Sequence, residues 1–134
     1  MSAINNLGLV YCRLGVSSIH GVGVFAIVPI PKGINPMMET RYVEFSSIPV
    51  KEINDSDTIL NPIKKLVKDM CPENDGCYEM PNFTLNEIGV SYYLNHSKTP
   101  NMDEDGDGNF VANRDIAVGE ELTVDYGTYG EMNL

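Results

Sequence analysis

Two short stretches hold most of the side chains in this sequence that could do chemistry. Residues 91–101 (SYYLNHSKTPN) gather two tyrosines, an Asn-His pair, a serine and a Pro-Asn turn, and residues 119–130 (GEELTVDYGTYG) add Tyr126 and Tyr129. Tyrosine hydroxyls are neutral, so a group of them can hydrogen-bond an amine without attracting an extra positive charge, as a carboxylate would. Tyr126 follows a strand-like segment and precedes Gly127, which puts it at a strand end beside a close backbone approach. A lone buried tyrosine is more often core packing, and that reading suits Tyr93. Taken alone, residues 91–101 also read as a polar turn between packed elements, and Asn95-His96-Ser97 has glycosylation-acceptor spacing.

Three other patterns point elsewhere. Gly21-Val22-Gly23-Val24-Phe25-Ala26 fits the dinucleotide fingerprint G-x-G-x-x-G/A, which needs a helix straight after it so that the helix N-terminus meets the pyrophosphate. Residues 24–29 read instead as a strand ending at Pro29, so dinucleotide binding is rejected. Asp103, Asp105, Asp107 and Gly108 open like a calcium loop, but Arg114 stands where a bidentate Glu is needed. A solvated hairpin tip is the better reading, with weak cation binding as its alternative. Cys71 and Cys77 flank Glu73 and Asp75 without the further Cys or His of a structural zinc site, so no metal is expected.

Short strands must do most of the positioning. Residues 7–14 are rich in β-forming types and predict a first strand, 15–21 a turn-rich link, and 22–28 a second strand closed by Pro29, Pro31 and Gly33. Residues 34–40 and 41–48 are expected as two further strands, and 51–58 as a polar surface loop. Asn61-Pro62 pairs an N-cap residue with proline at the first helical position. Ile63, Leu66, Val67 and Met70 follow at helical spacing, opposite Lys64, Lys65 and Lys68. This amphipathic helix should end before Pro72 and give way to a loop over 71–81. Capping-box spacing from Thr84 to Glu87 predicts a second short helix towards Tyr93, delivering Tyr92, Leu94, Asn95 and His96 at its C-terminal end. Residues 102–113 read as a hairpin with Gly106-Asp107-Gly108-Asn109 at its tip, and a turn at 117–119 leads into a strand over 121–125. The predicted fold class is mixed and mostly β, with short helices (α+β).

Composition bounds the function. A chain of 134 residues with 43% hydrophobic residues is one globular domain with enough chain to bury a core. No apolar run approaches ~18 residues, so no membrane helix is expected, and MSAINNLG lacks the features of a secretory signal. Cys12, Cys71 and Cys77 leave at least one thiol unpaired, which suits a reducing intracellular compartment, cytoplasmic or nuclear. The same count argues against glycosylation at Asn95 or at Asn82-Phe83-Thr84. Nine basic against nineteen acidic residues give a net charge of -10, with no footprint for direct nucleic-acid binding. An acidic surface favours basic partners, unless solubility is its only role.

Three segments in order resemble the SET-domain protein lysine methyltransferases, over most of the chain from about residue 10 to 129. Ser18-Ile19-His20-Gly21-Val22-Gly23-Val24-Phe25-Ala26 is similar to the family's S-x-x-x-G-x-G-V/L-F-A segment, Asn95-His96-Ser97 to its N-H-S motif, and Glu121-Leu122-Thr123-Val124-Asp125-Tyr126 to its E-L-T-x-D-Y segment. The resemblance implies a single SET domain over 1–134, with about 49–82 a variable insert carrying one short helix. It implies several small sheets and a knot-like C-terminal crossing that brings the last two segments together, an exception to unknotted topology. It also implies an S-adenosylmethionine site lined by His20, Gly21, Val22, Gly23, Asn95, His96 and Tyr126. Asn95 would meet the amino-acid end of that cofactor and His96 the adenine. The glycines would let backbone approach it. Tyr126 would be the catalytic tyrosine, and Tyr92, Tyr129 and Val124 would line the substrate lysine channel. Pro100-Asn101 matches a structural Pro-Asn of many members.

Three departures stand beside these matches. Tyr92-Tyr93 replaces the frequent Arg-Phe, and Val124 occupies the position that often carries a Phe or Tyr governing how many methyls are added. No cysteine follows Cys77, so no zinc-binding post-SET segment is expected, and either Tyr129 with the last residues, another chain or the substrate covers the pocket, or the pocket stays open.

The implied chemistry is demanding. A lysine amine has a pKa of ~10.4 in water, so at neutral pH under about one part in a thousand is nucleophilic. A narrow aromatic channel and the charge of a sulfonium both lower that pKa, and in-line placement of the reactants supplies the larger share of the catalysis. The sequence is therefore read as an S-adenosylmethionine-dependent protein-lysine methyltransferase acting on a lysine-bearing, basic protein, a histone or another. Self-association into a homo-oligomer is compatible with it. The alternatives are a SET-fold binding module that holds cofactor or lysine peptide with little or no turnover, and a small β-rich interaction domain with accidental matches.

Overall fold

The structure of the chain, a computed structural model, describes residues 3–128. It divides into two units, Met1–Thr40 with Gly89–Asp125, and Arg41–Ile88 with the segment that opens at Tyr126. In the first unit a single helical turn, α1 (Ala3–Asn6), and a 3-10 turn (Leu7–Leu9) precede strand β1 (Cys12–Val16). The strand expected from residue 7 thus starts five residues late. Leu7 and Val10 are exposed and Gly8 offers nothing to pack, so no sheet face rewards an extended backbone there. β2 (Val22–Ala26) returns antiparallel, with Cys12 opposite Ala26 and Val16 opposite Val22. The Ser17 N–H donates to the Gly21 carbonyl at 2.8 Å to close the connection, and Gly21 sits at φ 49, where a Cβ is strained. A strand runs where the dinucleotide motif would need a helix. The strand expected over 34–40 does not form. Pro36 is fully buried and has no N–H for a ladder, and the Asn35 side chain turns back to accept the Met37 N–H.

The second unit opens with β3 (Phe45–Pro49) and α2 (Val50–Asn54), a five-residue helix where a loop was expected; Ile53 is its buried residue. Helix α3 (Asn61–Met70) follows, one residue out of step with the sequence reading. Leu60 is the extended N-cap, and Asn61 and Pro62 are the first two helical residues. Of its expected apolar stripe only Val67 is fully buried; Ile63 and Leu66 remain 49% and 39% exposed. The reason is the small partner surface: Ile53, Val67, Cys71 and Tyr78 form the cluster, flanked by Ile48, Val50, Ile59, Met80 and Leu85. The loop expected over 71–81 is a hairpin. β4 (Glu73–Asn74) and β5 (Cys77–Pro81) are joined by Asp75-Gly76 at φ 51 and 77, and the sheet order is β3-β5-β4. Burial pushes the Cys71 thiol up to about 11, as it does Cys12 in the first unit. The helix expected from Leu85 to Tyr93 is two 3-10 turns, Leu85–Glu87 and Val90–Tyr93, parted by the extended Gly89. The Glu87 carboxylate accepts the Thr84 N–H at 3.3 Å, as the capping spacing predicted.

The first unit then resumes. β6 (Asn95–His96), β7 (Met102–Glu104), β8 (Phe110–Ala112) and β9 (Glu121–Val124) complete it, and a 3-10 turn (Tyr126–Thr128) follows. β7 and β8 form the predicted hairpin. The main sheet has the order β1-β2-β9-β6, with β9 antiparallel to β2 and parallel to β6. Val24, Ala26, Ile30, Leu94, Met102, Ile116, Leu122 and Val124 fill its core, each at most 3% exposed. The fold is mostly small β-sheets with a few short helices, the class the sequence predicted.

Candidate functional site

A two-residue strand has little intrinsic stability, so β6 exists because β9 templates it. Asn95 pairs with Thr123 and His96 with Val124, and the Ser97 N–H donates to the Val124 carbonyl at 2.9 Å. Parallel strands need a long crossover, and residues 97–120, with the β7–β8 hairpin, supply it. Asn101 holds the crossing from within. Its Oδ1 accepts the Thr123 N–H at 2.8 Å and its Nδ2 donates to the Glu121 carbonyl at 2.9 Å, so one side-chain amide does what a strand backbone would. Asn101 is therefore structural, as expected. Before β9, Arg114 donates to both Glu120 carboxylate oxygens. That bond, then the Ala117 N–H, holds the Glu120 carboxyl below its usual range.

The sharpest polar constellation in this unit joins three segments at Ser17, Asn95 and Glu121. The Ser17 hydroxyl donates to the Glu121 carboxylate, whose oxygens lie at 2.7 and 2.9 Å. Its oxygen accepts from the Ile19 and His20 N–H groups at 2.9 and 3.3 Å, which shapes the β1–β2 loop. The Asn95 Nδ2 is within reach of four acceptors: Glu121 Oε2 at 2.8 Å, the His20 carbonyl at 3.0 Å, Ser17 Oγ at 3.1 Å and the Val22 carbonyl at 3.3 Å. With oxygens on every side of it, that arm must be the NH2 group. The other arm, Oδ1, is left as the acceptor. A Cβ on Gly23 would fall onto the Glu121 carboxylate, 2.8 Å from its carboxyl carbon, and 3.1 Å from the Ser17 Cβ.

The structure brings some of the sequence-derived site residues together. His20, Val22 and Asn95 are joined by hydrogen bonds, Gly23 packs on Glu121, and His96 and Val124 face each other across β6 and β9. Gly21 lies on the exposed loop beside them. Asn95 is 6% and Val124 1% exposed, whereas His20 is open to solvent. His96 Nδ1 lies 3.8 Å from Asp125 Oδ1, beyond hydrogen-bond length. Tyr92 is half-buried in the 3-10 turn before β6, with its hydroxyl shielded from solvent. Tyr126, also half-buried, opens the turn two residues after β9 ends. Tyr129 lies outside the described residues. Sequence reasoning missed Ser17 and gave Glu121 no role. A signal for the serine was present: Ser17, not Ser18, stands three residues clear of Gly21, as S-x-x-x-G requires.

The family model for the SET domain matches residues 21–127. The chain therefore belongs to the SET-domain family, the methyltransferase class that its three segments resembled. No curated protein matches the sequence. Among solved structures it is similar to a Plasmodium falciparum protein described as a "putative histone methyltransferase". The two share 22% identity at a TM-score of 0.51, over 89% of this chain and 95% of that one. At that identity the likeness speaks for the fold.

Proposed function

We propose that this chain is an S-adenosylmethionine-dependent protein-lysine methyltransferase, with an intracellular, basic protein as its substrate. The observation that carries the reading is the paired Asn95-His96 and Glu121–Val124 strands within the SET-family match. The residues present fit the cofactor. Asn95 offers Oδ1 to an ammonium because its Nδ2, with two hydrogens to give, faces acceptors on Glu121, Ser17 and the loop carbonyls. Gly21 adds no side chain to the exposed loop, and His96 follows Asn95 along the same strand as the contact for the adenine. When bound, the cofactor supplies a methyl group on a positively charged sulfur.

The chain's own residues have three tasks. Asn95 and the 20–23 backbone bind and orient. Tyr92, Val124 and Tyr129 are the residues the resemblance assigns to the lysine channel, whose walls would strip water from the lysine side chain and so lower the pKa of its amine. The Tyr126 hydroxyl, on the turn that follows β9, accepts a hydrogen bond from the amine and holds its lone pair in line. No carboxylate is needed at the amine, and a charged one would oppose its deprotonation. The net charge of -10 would draw a basic peptide by long-range attraction, so its KM should rise as salt screens exposed charge.

The test is calorimetric titration of the full chain with S-adenosylmethionine, then transfer of a labelled methyl from it to a whole-cell protein extract with the modified residue mapped. Saturable binding and label on lysine are expected. Absence of binding, with no competition by S-adenosylhomocysteine, removes the cofactor from the reading; label on another residue type removes lysine.

A further inference from the structure

We propose that Glu121 is a positioning residue for cofactor recognition. Its carboxylate, with the Ser17 hydroxyl, fixes the Asn95 amide so that Oδ1 is presented to the cofactor's α-ammonium. The inference rests on the role given to Asn95 above and adds what makes that role possible.

An asparagine amide can turn over at low cost when its surroundings do not distinguish nitrogen from oxygen. Here they do. Glu121 Oε2 at 2.8 Å is the shortest of the four acceptors around Nδ2, and it is the charged one, so it is the strongest determinant of the amide's orientation. Ser17 locks the carboxylate in turn, because its hydroxyl donates to Glu121 while its oxygen is held by the Ile19 and His20 N–H groups. The arrangement also reassigns a glycine. The space a Gly23 side chain would fill is taken by the Glu121 carboxylate and the Ser17 Cβ. The need for glycine at position 23 is thus met inside the protein, by the clasp, whereas exposed Gly21 at φ 49 is the glycine required by the loop conformation.

A clasp that only supports the fold and one that aims Asn95 differ in how they treat two ligands. S-adenosylhomocysteine carries the α-amino group; its analogue without that group offers Asn95 nothing to bind. The experiment measures the dissociation constants of both for the wild-type chain, Glu121→Ala, Glu121→Gln and Ser17→Ala, with a melting curve for each. The wild type should prefer the amino ligand. Glu121→Ala should erode that preference by about tenfold, the scale of one hydrogen bond to a charged group, while the analogue's affinity changes by less than about threefold. Glu121→Gln, which keeps one acceptor oxygen, should lie between, and Ser17→Ala should shift the ratio the same way by less.

A Glu121→Ala chain that weakens both ligands equally, leaving the ratio at the wild-type value, overturns the proposal and makes Glu121 structural. If Glu121→Ala does not fold, an unchanged ratio in Glu121→Gln and Ser17→Ala overturns it equally. A wild-type chain that binds neither ligand defeats the cofactor reading itself. A wild type that binds both with no preference defeats the role of Asn95, and the proposal with it.

Discussion

Asn95, Asn101 and Thr123 are the buried polar residues among those described, and all three lie in the unit Met1–Thr40 with Gly89–Asp125. The unit Arg41–Ile88 is closed instead by Ile53, Val67, Cys71 and Tyr78, beneath a helix that leaves Ile63 and Leu66 in solvent. The difference is one of direction. Apolar burial is proportional to area and indifferent to angle, so the second unit can hold a helix and a hairpin together with a narrow contact. A buried polar group is costly unless its hydrogen bonds are made, and those bonds fix where each atom points. The Asn101 amide and the Asn95 Nδ2 meet that demand with named partners in two other segments, residues 17–22 and β9. The unit that buries amides fixes the direction of Asn95 and Asn101, whereas the Ile53 cluster only holds its elements together.

Substitutions in the two units should therefore fail differently. Ile53→Ala should have the largest effect on stability, about 2–5 kcal/mol by denaturant unfolding, with cofactor affinity of the folded chain within about twofold of wild type. An equal collapse of affinity would break the comparison. Asn101→Ala should cost about 1–3 kcal/mol, because it strands the Thr123 N–H and the Glu121 carbonyl. It should also weaken cofactor binding, since β9 carries Glu121. Stability loss with binding intact would show that Asn101 supports the sheet without serving the site. Leu66→Ala, on the exposed flank of α3, should stay within about 0.5 kcal/mol. A larger loss would mean that the α3 stripe is covered.

Much of this was legible in the sequence, for reasons that can be named. The 102–113 hairpin and the Thr84–Glu87 cap are set by local chemistry and both formed, and the strand expected over 22–28 formed as β2, ending two residues early at Ala26. Asp75-Gly76 was a readable hairpin signal within a stretch taken for a loop. The residue count from Ser17 to Gly21 was readable too, and would have named the serine that touches Glu121. Other features were not local. Ile63 and Leu66 keep helical spacing, but whether they are covered depends on what packs against α3. Nothing in Asn95-His96 alone specifies a parallel pairing with Thr123-Val124 across a long crossover; the family resemblance implied only that the two segments meet. α2 forms around one buried side chain, Ile53, in a segment whose composition is that of a loop.

The central claim is that this fold aims a tyrosine hydroxyl at a lysine amine, and Tyr126→Phe tests it most directly. The substitution keeps the ring and removes only the oxygen. The decisive measurement is kcat for methyl transfer to a lysine peptide, beside cofactor affinity and melting temperature of the same variant. Misplacing the nucleophile should lower kcat on the order of 100-fold, with affinity and melting temperature near wild type. Wild-type turnover in a folded, cofactor-binding Tyr126→Phe chain would contradict the account and move the role to another tyrosine, Tyr92 or Tyr129.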